Sequence, residues 1–497
     1  MIVPARVRLD ALGAGARAAV RALAETLGPS RPAWIVGGAV RDALGGGGTH
    51  DLDVAVPSGA ITLAREMAER LGAAFLVLDG TRGAARLVGA QGYAWQGPQV
   101  DFADFRGPDL AADLRGRDFT VNALAVPLGR LAAAADAEVT DVTGGLDDLS
   151  SRTVRLCASG ALADDPVRVL RAARLAVGPG WTLDSQVGEA AREAAPGLRE
   201  ISAERVRDEL LGLFSEAWSA RGLRLLDDWG ALAVVLPERQ VMKATTQSEP
   251  HRFDVWEHSL RAVEGADVLA VRAGELGSEG PAFATHLDEP VGDGATRRET
   301  LKLAALLHDV AKPETRTVED GRTRFVGHDV IGAARAREIG ERLRLSRRNV
   351  SVLERLVRHH LRPMHLAIAG EVTRRARYRF FRDLGDDALD LLLLALADSA
   401  ALRGDSPLAI WEGTGGRVVR DLMTGHAEAA FVQAERPLLD GREAMALLGL
   451  PEGPELGRLL RVLREAQGTG AVTTREAAVA FLRELRGRPL DTSDPAS

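Results

Sequence analysis

The segment from Gly37 to Val56 reads GGAVRDALGGGGTHDLDVAV, and it determines how the rest of the chain is interpreted. It ends in two aspartates one residue apart, Asp51 and Asp53, within an alternating pattern typical of a β-strand. Side chains alternate across a strand, so we expect both carboxylates on one face. Two carboxylates on one face repel each other unless a cation lies between them. Mg²⁺ is a suitable cation because it prefers carboxylate oxygens as ligands. The simpler alternative is a pair of solvated acids at a strand end.

Neighbouring residues favour the metal-site interpretation. The strand pattern QVDFADF supplies Asp101 as a third acid, with Asp104 on the opposite face. Gly37 and Gly38 lie between a strand and a helix, where backbone amides can approach phosphates closely. Arg41 follows one helical turn later and can reach a phosphate. The segment therefore predicts a metal-dependent site for a phosphorylated ligand.

Composition limits the classes of protein that the chain can represent. Its 497 residues are too many for one ordinary domain. The net charge of −7 gives no general attraction for nucleic acid, so any such contact requires a local basic patch. Cys157 is the single cysteine, which excludes an intramolecular disulfide and favours a reducing compartment. Without an apolar run of membrane-spanning length, we expect a cytoplasmic protein and no membrane partner.

The secondary-structure pattern changes along the chain. Strands and helices mix in residues 1–150, whereas residues 151–240, 241–415 and 416–497 show helical spacing of apolar residues. This predicts an α+β protein with a small mixed-sheet head, followed by all-α segments. The Gly-, Glu- and Pro-rich stretch 273–296 is expected to be a mobile loop.

Histidines and acids in the helical part form a second candidate site. An adjacent His-Asp pair on an apolar helix is costly to bury unless something binds it. Imidazole with carboxylate suits Mn²⁺, Fe, Ni²⁺ or Mg²⁺ better than a structural zinc. The predicted ligands are His258, His308, Asp309, His328, His359 and Asp398. The remaining histidines are expected to be surface or packing residues: His50, His251, His286, His365 and His426.

Arginines interleaved with aromatic residues in TRRARYRFFRDLG indicate a candidate RNA surface. Guanidinium groups bind phosphates and aromatic rings stack on bases. The residues proposed for this surface are Arg374, Arg375, Arg377 and Arg379. A solvated helix face explains the same pattern equally well.

Several motifs together resemble one known family. GGAVRDAL and DLDV are followed by RGRDFTVNALA, DDPVR and ISAERVRDEL, across about residues 30–220. These motifs resemble the polymerase-beta-type nucleotidyltransferases, and more narrowly the bacterial class II tRNA nucleotidyltransferase and poly(A) polymerase family. The resemblance implies a nucleotidyltransferase head over residues 1–150, a helical neck over 151–240 and a helical tail over 416–497.

The resemblance also implies roles for individual residues. Asp51, Asp53 and Asp101 would be catalytic, and the first two would hold Mg²⁺ at the RNA 3′-hydroxyl and the leaving pyrophosphate. The implied nucleotide-binding residues are Gly37, Gly38, Arg41 and Arg117 for phosphates, Asp118 and Asn122 for ribose, and Asp165 and Arg168 for the base. A carboxylate accepts from the exocyclic amine that C and A share, while Arg donates to ring nitrogens or a carbonyl.

Two departures from the family pattern bear on the nucleotide added. Gly116 interrupts the arginine pair that precedes Asp118 in the family, and only RGPDLAADL separates QVDFADF from RGRDFT. Complete CCA-adding members usually have a longer flexible segment there, so the short one resembles members that add only two Cs or only poly(A). The implied function is template-independent addition of C, of A or of CCA to the tRNA 3′ end, with poly(A) polymerase as an alternative. The expected partners are the tRNA 3′ end and CTP, ATP or both.

The order His, His-Asp, Asp in residues 241–415 resembles the HD phosphohydrolase superfamily. The resemblance implies a divalent transition metal or Mg²⁺, with His328 and His359 serving a second ion. Two further hypotheses remain: an HD-type phosphohydrolase whose head only binds RNA, and an RNA-binding scaffold in which both sites are inactive. The sequence leaves the oligomeric state undetermined.

Overall fold

The computed structural model describes residues 5–28, 30–49, 51–89, 94–424 and 437–487. His50 and His426 lie outside these residues. The chain divides into two compact units, the first comprising Met1–Glu216 with Arg221–Val235, and the second Ala217–Ala220 with Leu236–Ser497. Across the described ranges, no helix is both long and apolar enough to span a bilayer.

The first unit contains a mixed seven-stranded sheet with strand order β4-β5-β6-β3-β2-β7-β9. Within it, β3 and β6 pair in parallel, and the other neighbours are antiparallel. The strands of this unit are β1 (Arg6–Arg8), β2 (Trp34–Val36), β3 (Asp51–Val56), β4 (Ala74–Asp79), β5 (Ala84–Val88), β6 (Gln99–Asp104), β7 (Leu124–Pro127), β8 (Asp136–Glu138), β9 (Thr140–Asp141), β10 (Thr153–Val154) and β11 (Thr182–Leu183).

Helices cover one side of this sheet and continue after it. Leu52 and Val54 of β3 are buried in a core shared with Val20 and Met67 of the covering helices. The helices are α1 (Ala14–Leu27), α2 (Gly38–Leu44), α3 (Ala60–Leu71), α4 (Leu110–Arg115), α5 (Leu128–Ala134), α6 (Gly145–Ser151), α7 (Ala161–Asp164), α8 (Arg168–Ala176), α9 (Ser185–Ala194), α10 (Ala203–Ser215), α11 (Ser219–Asp228) and α12 (Ala231–Val235). Ser202 caps the start of α10, since its Oγ accepts from Arg205 N.

In the part of the second unit that the structure describes, two short hairpins are the only departure from helix and connecting loops. Its strands are β12 (Pro290–Gly292), β13 (Ala295–Thr296), β14 (Thr317–Glu319) and β15 (Arg322–Arg324). Its helices are α13 (Arg239–Lys243), α14 (Val255–Arg272), α15 (Gly280–Leu287), α16 (Arg297–Leu307), α17 (His328–Arg342), α18 (Arg347–His359), α19 (Arg362–Ala369), α20 (Arg374–Leu384), α21 (Ala388–Arg403), α22 (Pro407–Glu412), α23 (Arg417–Met423), α24 (Gly441–Leu448), α25 (Pro454–Gly468) and α26 (Arg475–Gly487). The α+β fold class is thus confirmed.

The second unit departs from one sequence prediction and contains one close helix contact. The mobile loop expected at 273–296 is instead ordered as α15 and the β12–β13 hairpin, because Phe283 and Leu287 are buried apolar anchors within it. Helices α14 and α21 approach closely at Gly265, where a Cβ would lie 3.0 Å from the Ala397 Cα. A larger residue at this position would push the two helices apart.

Candidate active sites of the two units

The acidic residues of β3 and β6 meet on one face of the sheet. In the parallel register Asp53 is paired with Asp101, and Asp51 lies two residues before Asp53 on the same face. Asp104 serves another purpose, because its carboxylate accepts from the Ala60 backbone amide at 2.7 Å and so holds the start of α3. The structure therefore brings together the three acids that the sequence predicted, and leaves Asp104 outside them.

The glycine turn before α2 lies directly against this acidic face. Gly37 has a φ of +75°, and a Cβ there would approach Asp53 Oδ2 to 2.8 Å and Arg117 Nη1 to 3.6 Å. Only glycine fits this position without strain. Arg41 of the following helix donates to the Asn122 side-chain oxygen at 2.8 Å, so two predicted nucleotide-binding residues are already in contact.

The electrostatics of the acidic face fit a bound cation. Asp53 remains accessible to solvent, yet the surrounding protein atoms raise its pKa by desolvation. Arg117 opposes this rise, while repulsion from Asp101 and Asp51 adds to it. Carboxylates that repel one another on an accessible surface are the oxygen donors that a hard divalent ion requires. The residues present therefore fit a hard divalent ion such as Mg²⁺.

Sequence reasoning missed a partner of the third acid. Arg86 lies opposite Asp101 on β5 and donates two hydrogen bonds of 2.8 Å to its carboxylate. This bidentate pair fixes the orientation of Asp101 and supplies positive charge near Asp51. Nothing in the local sequence indicates this role, because it depends on the pairing of β5 with β6.

Asp118 is held by a chain of charged side chains that reaches α10. Arg171 donates to Asp118 Oδ2 at 2.8 Å and also to Glu209. Burial alone would raise the pKa of Asp118, but the Arg171 guanidinium outweighs burial and lowers it to about 2. Asn122 Nδ2 lies 3.4 Å from Asp118 Oδ1, so the two residues predicted for ribose recognition are neighbours.

The predicted base-recognition residues lie at the start of α8. Asp165 precedes the helix and accepts from Arg205 Nη2 at 2.6 Å, while Arg168 Nε lies 4.0 Å from the same oxygen. Arg168 also donates to the Ala161 carbonyl at 2.9 Å, which fixes its side chain. Asp165 and Arg168 are thus adjacent and oriented, and Arg205 is an additional partner that the sequence did not reveal.

The second unit gathers a buried group of histidines and acids. The imidazoles of His308, His328 and His360 each place Nδ1 within 2.8 Å of the backbone carbonyl three residues earlier. This contact turns each Nε2 toward the centre of the group, as backbone carbonyls commonly do for metal-ligating histidines. His258 Nε2 lies 2.9 Å from Asp398 Oδ1.

Asp309 lies between two sets of these side chains. Its Oδ2 is 3.2 Å from His308 Nε2 and its Oδ1 is 3.3 Å from His328 Nε2. One set that could hold an ion is His258, His308 and Asp398, and the other is Asp309, His328 and His360. The sequence predicted His359 here, but the structure places the adjacent His360 in the group. Packing of α18 against α17 turns the His360 ring inward, to 3.2 Å from the His328 ring nitrogen.

Unsatisfied buried atoms show that this group fits a cation. Among the described residues, the buried His308 Nε2 makes no well-aligned hydrogen bond, although Asp309 Oδ2 lies 3.2 Å away. Burial alone would lower the pKa of His308, but the Asp309 carboxylate outweighs it and raises the pKa to about 9. Burial would raise the pKa of Asp309, but the nearby His308, Lys312 and His328 hold it well below its usual range. Mixed imidazole and carboxylate donors agree with a divalent metal and do not identify which one.

Two further side chains border this group and were not predicted as part of it. Lys312 lies 2.6 Å from Asp309 Oδ2 and donates to the Gln247 side-chain oxygen at 2.7 Å. The His251 ring, expected to be an ordinary surface or packing residue, lies edge-on to His258 with centroids 5.2 Å apart. Desolvation and the nearby Lys312 lower the pKa of His251 to about 4.

The predicted RNA surface on α20 is partly occupied by contacts within the protein. Arg375 and Arg379 form ion pairs with Glu465 of α25, and Arg382 lies 3.5 Å from the same carboxylate. Arg377 donates to the Asp421 carbonyl at 2.7 Å. An RNA phosphate would have to compete with these partners, so RNA binding by this helix stays a prediction.

Three protein-family models match the chain. Residues 33–155 match the Poly A polymerase head domain, and residues 180–242 match the probable RNA and SrmB-binding site of polymerase A. Residues 255–401 match the HD domain. The head region contains Asp51, Asp53 and Asp101, and the HD region contains the buried group of histidines and acids.

Curated relatives match over nearly the whole chain. The A-adding tRNA nucleotidyltransferase of Deinococcus radiodurans is 37% identical over 91% of this chain and 95% of its own length. The CC-adding tRNA nucleotidyltransferase of Thermus thermophilus is also 37% identical, over 92% of this chain and 94% of its own. A CC-adding enzyme of Geobacter sulfurreducens is 31% identical over 93% of each chain.

Solved structures share the fold at low sequence identity. A Thermotoga maritima CCA-adding enzyme in complex with tRNA superposes with a TM-score of 0.58 at 18% identity, covering 97% of this chain and 100% of that one. A CCA-adding enzyme in complex with CTP gives a TM-score of 0.59 at 18% identity, covering 97% of each chain. The family resemblance inferred from the motifs is confirmed.

Proposed function

The chain belongs to the bacterial tRNA nucleotidyltransferase family, and from this premise we propose that its first unit adds nucleotides to the 3′ end of tRNA without a template. One observation carries the proposal: Asp51, Asp53 and Asp101 share one face of the sheet beside the Gly37 turn. This arrangement places hard-ion ligands next to a surface that a triphosphate can approach.

Each residue of the site then has a defined task. When bound, two divalent ions supply Lewis-acid activation of the 3′-hydroxyl and charge neutralisation on the leaving pyrophosphate. Asp51, Asp53 and Asp101 hold those ions, and the missing Cβ at Gly37 leaves space for the phosphates. Other residues bind the nucleotide: Arg41 and Arg117 the phosphates, Asp118 and Asn122 the ribose, and Asp165 and Arg168 the base.

The short segment after β6 supports addition of C without a switch to A. Asp109 caps α4 by accepting from the Ala112 amide at 2.8 Å, and Asp113 accepts from the Arg106 amide at 3.1 Å. Both contacts lie within the segment, and the second joins its first residue to its penultimate one, so the connection is short and ordered. We infer that it does not serve as the long flexible segment of complete CCA-adding members. We therefore propose that the enzyme is a CC-adding member of its family.

Product sequencing tests this assignment. A tRNA transcript lacking CCA and another ending in CC are each incubated with CTP, ATP or both, with Mg²⁺. We expect two C residues on the first transcript and no extension of the second. A single A on the second transcript would identify an A-adding enzyme, and long A tails on unstructured RNA would identify a poly(A) polymerase.

Two variants from the same pair of strands test the site itself. Asp53→Asn removes a predicted metal ligand and should abolish extension. Asp104→Asn removes the same charge from the opposite face and keeps an acceptor for Ala60, so it should extend tRNA normally. If both variants were as active as the unaltered enzyme, the acidic face would not be the catalytic site.

A second candidate function is hydrolysis of a phosphoester by the second unit. It is favoured by the two adjacent sets of potential ligands and by the burial of Asp309, which lies 3.2 Å from His308 Nε2 of the other set. A divalent metal bound there would supply an activated water. His258, His308 and Asp398 would hold one ion, Asp309, His328 and His360 the other, and Lys312 would bind the phosphate.

Adjacent histidines give a matched test of this candidate. The full chain is assayed on a nucleoside 2′,3′-cyclic phosphate with Mg²⁺, Mn²⁺ or Ni²⁺ added separately. We expect His360→Asn to lose hydrolysis and His359→Asn to retain it. Equal activity of both variants, or no hydrolysis with any of these ions, would argue that this unit is a scaffold.

A further inference from the structure

Arg106 is an exposed cation near the nucleotide site, and both acids close to it are already paired with other arginines. Its guanidinium makes no hydrogen bond or ion pair within the part of the chain that the structure describes, although its backbone amide donates to Asp113 Oδ1 at 3.1 Å. Arg117 donates to the other oxygen of Asp113 at 3.1 and 3.2 Å. A single carboxylate that is itself buried therefore anchors both arginines.

The side chain of Arg106 packs over Gly116. A Cβ at Gly116 would lie 3.6 Å from Arg106 Cδ, so the aliphatic stem covers the residue that immediately precedes Arg117. Arg117 in turn lies beside Gly37 and Asp53. The contacts thus form a continuous path from Arg106 to the acidic face.

Charge at this place is unbalanced. Desolvation by the surrounding protein lowers the pKa of Arg106, and repulsion from Arg117 and Arg168 lowers it further. Asp113 and Asp118 oppose this effect, but Asp113 is paired with Arg117 and Asp118 with Arg171. Three guanidinium groups whose nearest acids are already engaged favour binding of an additional anion at this place.

We propose that Arg106 is a phosphate-binding residue of the first unit, acting beside Arg117 on a phosphate that the reaction brings to this site. The inference rests on the proposed function of this unit. The phosphate can come from the incoming nucleoside triphosphate or from the RNA backbone next to the 3′ end. Guanidinium binds both through the same bidentate hydrogen bonds.

Calorimetry on the full chain separates the two sources. Arg106→Gln is compared with Arg130→Gln, which removes the same charge from an exposed position on α5. One arm titrates CTP and pyrophosphate with Mg²⁺ and no RNA, and the other titrates tRNA with no nucleotide. We expect Arg106→Gln to lower the affinity for one of these ligands roughly 10- to 100-fold, as loss of a charge-assisted hydrogen bond does. Arg130→Gln should bind all of them with unchanged affinity.

The pattern of loss identifies the ligand. Weaker CTP and pyrophosphate binding assigns Arg106 to the triphosphate, and weaker tRNA binding assigns it to the RNA backbone. Arg106→Lys should keep part of the affinity, which also serves if Arg106→Gln fails to fold. Unchanged affinity for all three ligands in both Arg106 variants would overturn the inference. The proposed function fails separately, if the unaltered enzyme neither binds CTP nor extends tRNA.

Discussion

The acids of the first unit stand on adjacent strands of one sheet and stay open to solvent, whereas the ligand group of the second unit is assembled from separate helices and largely buried. In the first unit, strand register alone aligns Asp53 with Asp101. In the second, His258 and Asp398 meet although 140 residues separate them in the chain. An open site tolerates charge through solvent and bound ions, while a buried one needs a partner for every charge.

The largest expected effect concerns Asp309, which belongs to one buried set of ligands and contacts His308 of the other. Asp309→Asn should abolish hydrolysis and metal binding by the second unit, and should destabilise the metal-free protein by about 3–5 kcal/mol because His308 and Lys312 lose their buried counter-charge. Metal content of the purified chain and urea unfolding in chelator measure both effects. Extension of tRNA should persist, and its loss would contradict the independence of the two sites.

Stability of the metal-free protein should depend on pH through His308. The pKa of His308 is raised to about 9 in the folded state, above its unfolded value of about 6.5. Its stabilisation is therefore fully present below the unfolded pKa and is lost as pH rises toward 9, by about 3 kcal/mol in total. Urea midpoints in chelator between pH 6 and 9.5 measure this slope. His308→Gln should flatten the dependence of the urea midpoint on pH. An unchanged slope in that variant would show that another group causes the pH dependence.

The open site offers a smaller and more specific test. Arg86→Gln should raise the Mg²⁺ concentration needed for half-maximal tRNA extension by about 10- to 100-fold, as loss of an outer partner of a metal ligand does. Arg86→Lys, which keeps the charge but not the two parallel hydrogen bonds, should lie between. A lower maximal rate with an unchanged Mg²⁺ requirement would show that Arg86 does not act through Asp101.

The smallest expected stability effect compares two glycines with positive φ. Gly37→Ala and Gly46→Ala should each cost about 1–2 kcal/mol of stability, because both adopt conformations that an L-residue avoids. A Cβ at Gly46 meets nothing within 4 Å, whereas one at Gly37 approaches Asp53. Only Gly37→Ala should therefore lose tRNA extension beyond its loss of stability. Equal activity of the two variants would show that this turn tolerates a side chain.

Local pattern predicted which acids of the first unit share one face of the sheet. The alternation of DLDVAV and of QVDFADF fixes which residues share a face, so Asp51, Asp53 and Asp101 follow from strand period and one pairing. Arg86 could not be predicted in this way, because its contact with Asp101 depends on which strand lies next to β6.

The buried group was predictable by residue type but not by orientation. The His-Asp pair at 308 and 309 is visible in the sequence, since a charged pair on an apolar helix needs a ligand. The choice between His359 and His360 depends on about 100° of rotation at the end of α18, which only packing against α17 decides. Similarly, the sequence did not show that arginines of α20 form ion pairs within the protein, because Glu465 is 90 residues away from Arg375 in the chain.

That long separation has a consequence during protein synthesis. The amino-terminal end of a chain leaves the ribosome first, so α20 emerges before Glu465 of α25 has been made. Arg375 and Arg379 then lack the acid that neutralises them in the finished protein. Until the last helices are complete, this stretch of the nascent chain is cationic. A product truncated before α25 would keep that charge permanently and should co-purify with nucleic acid.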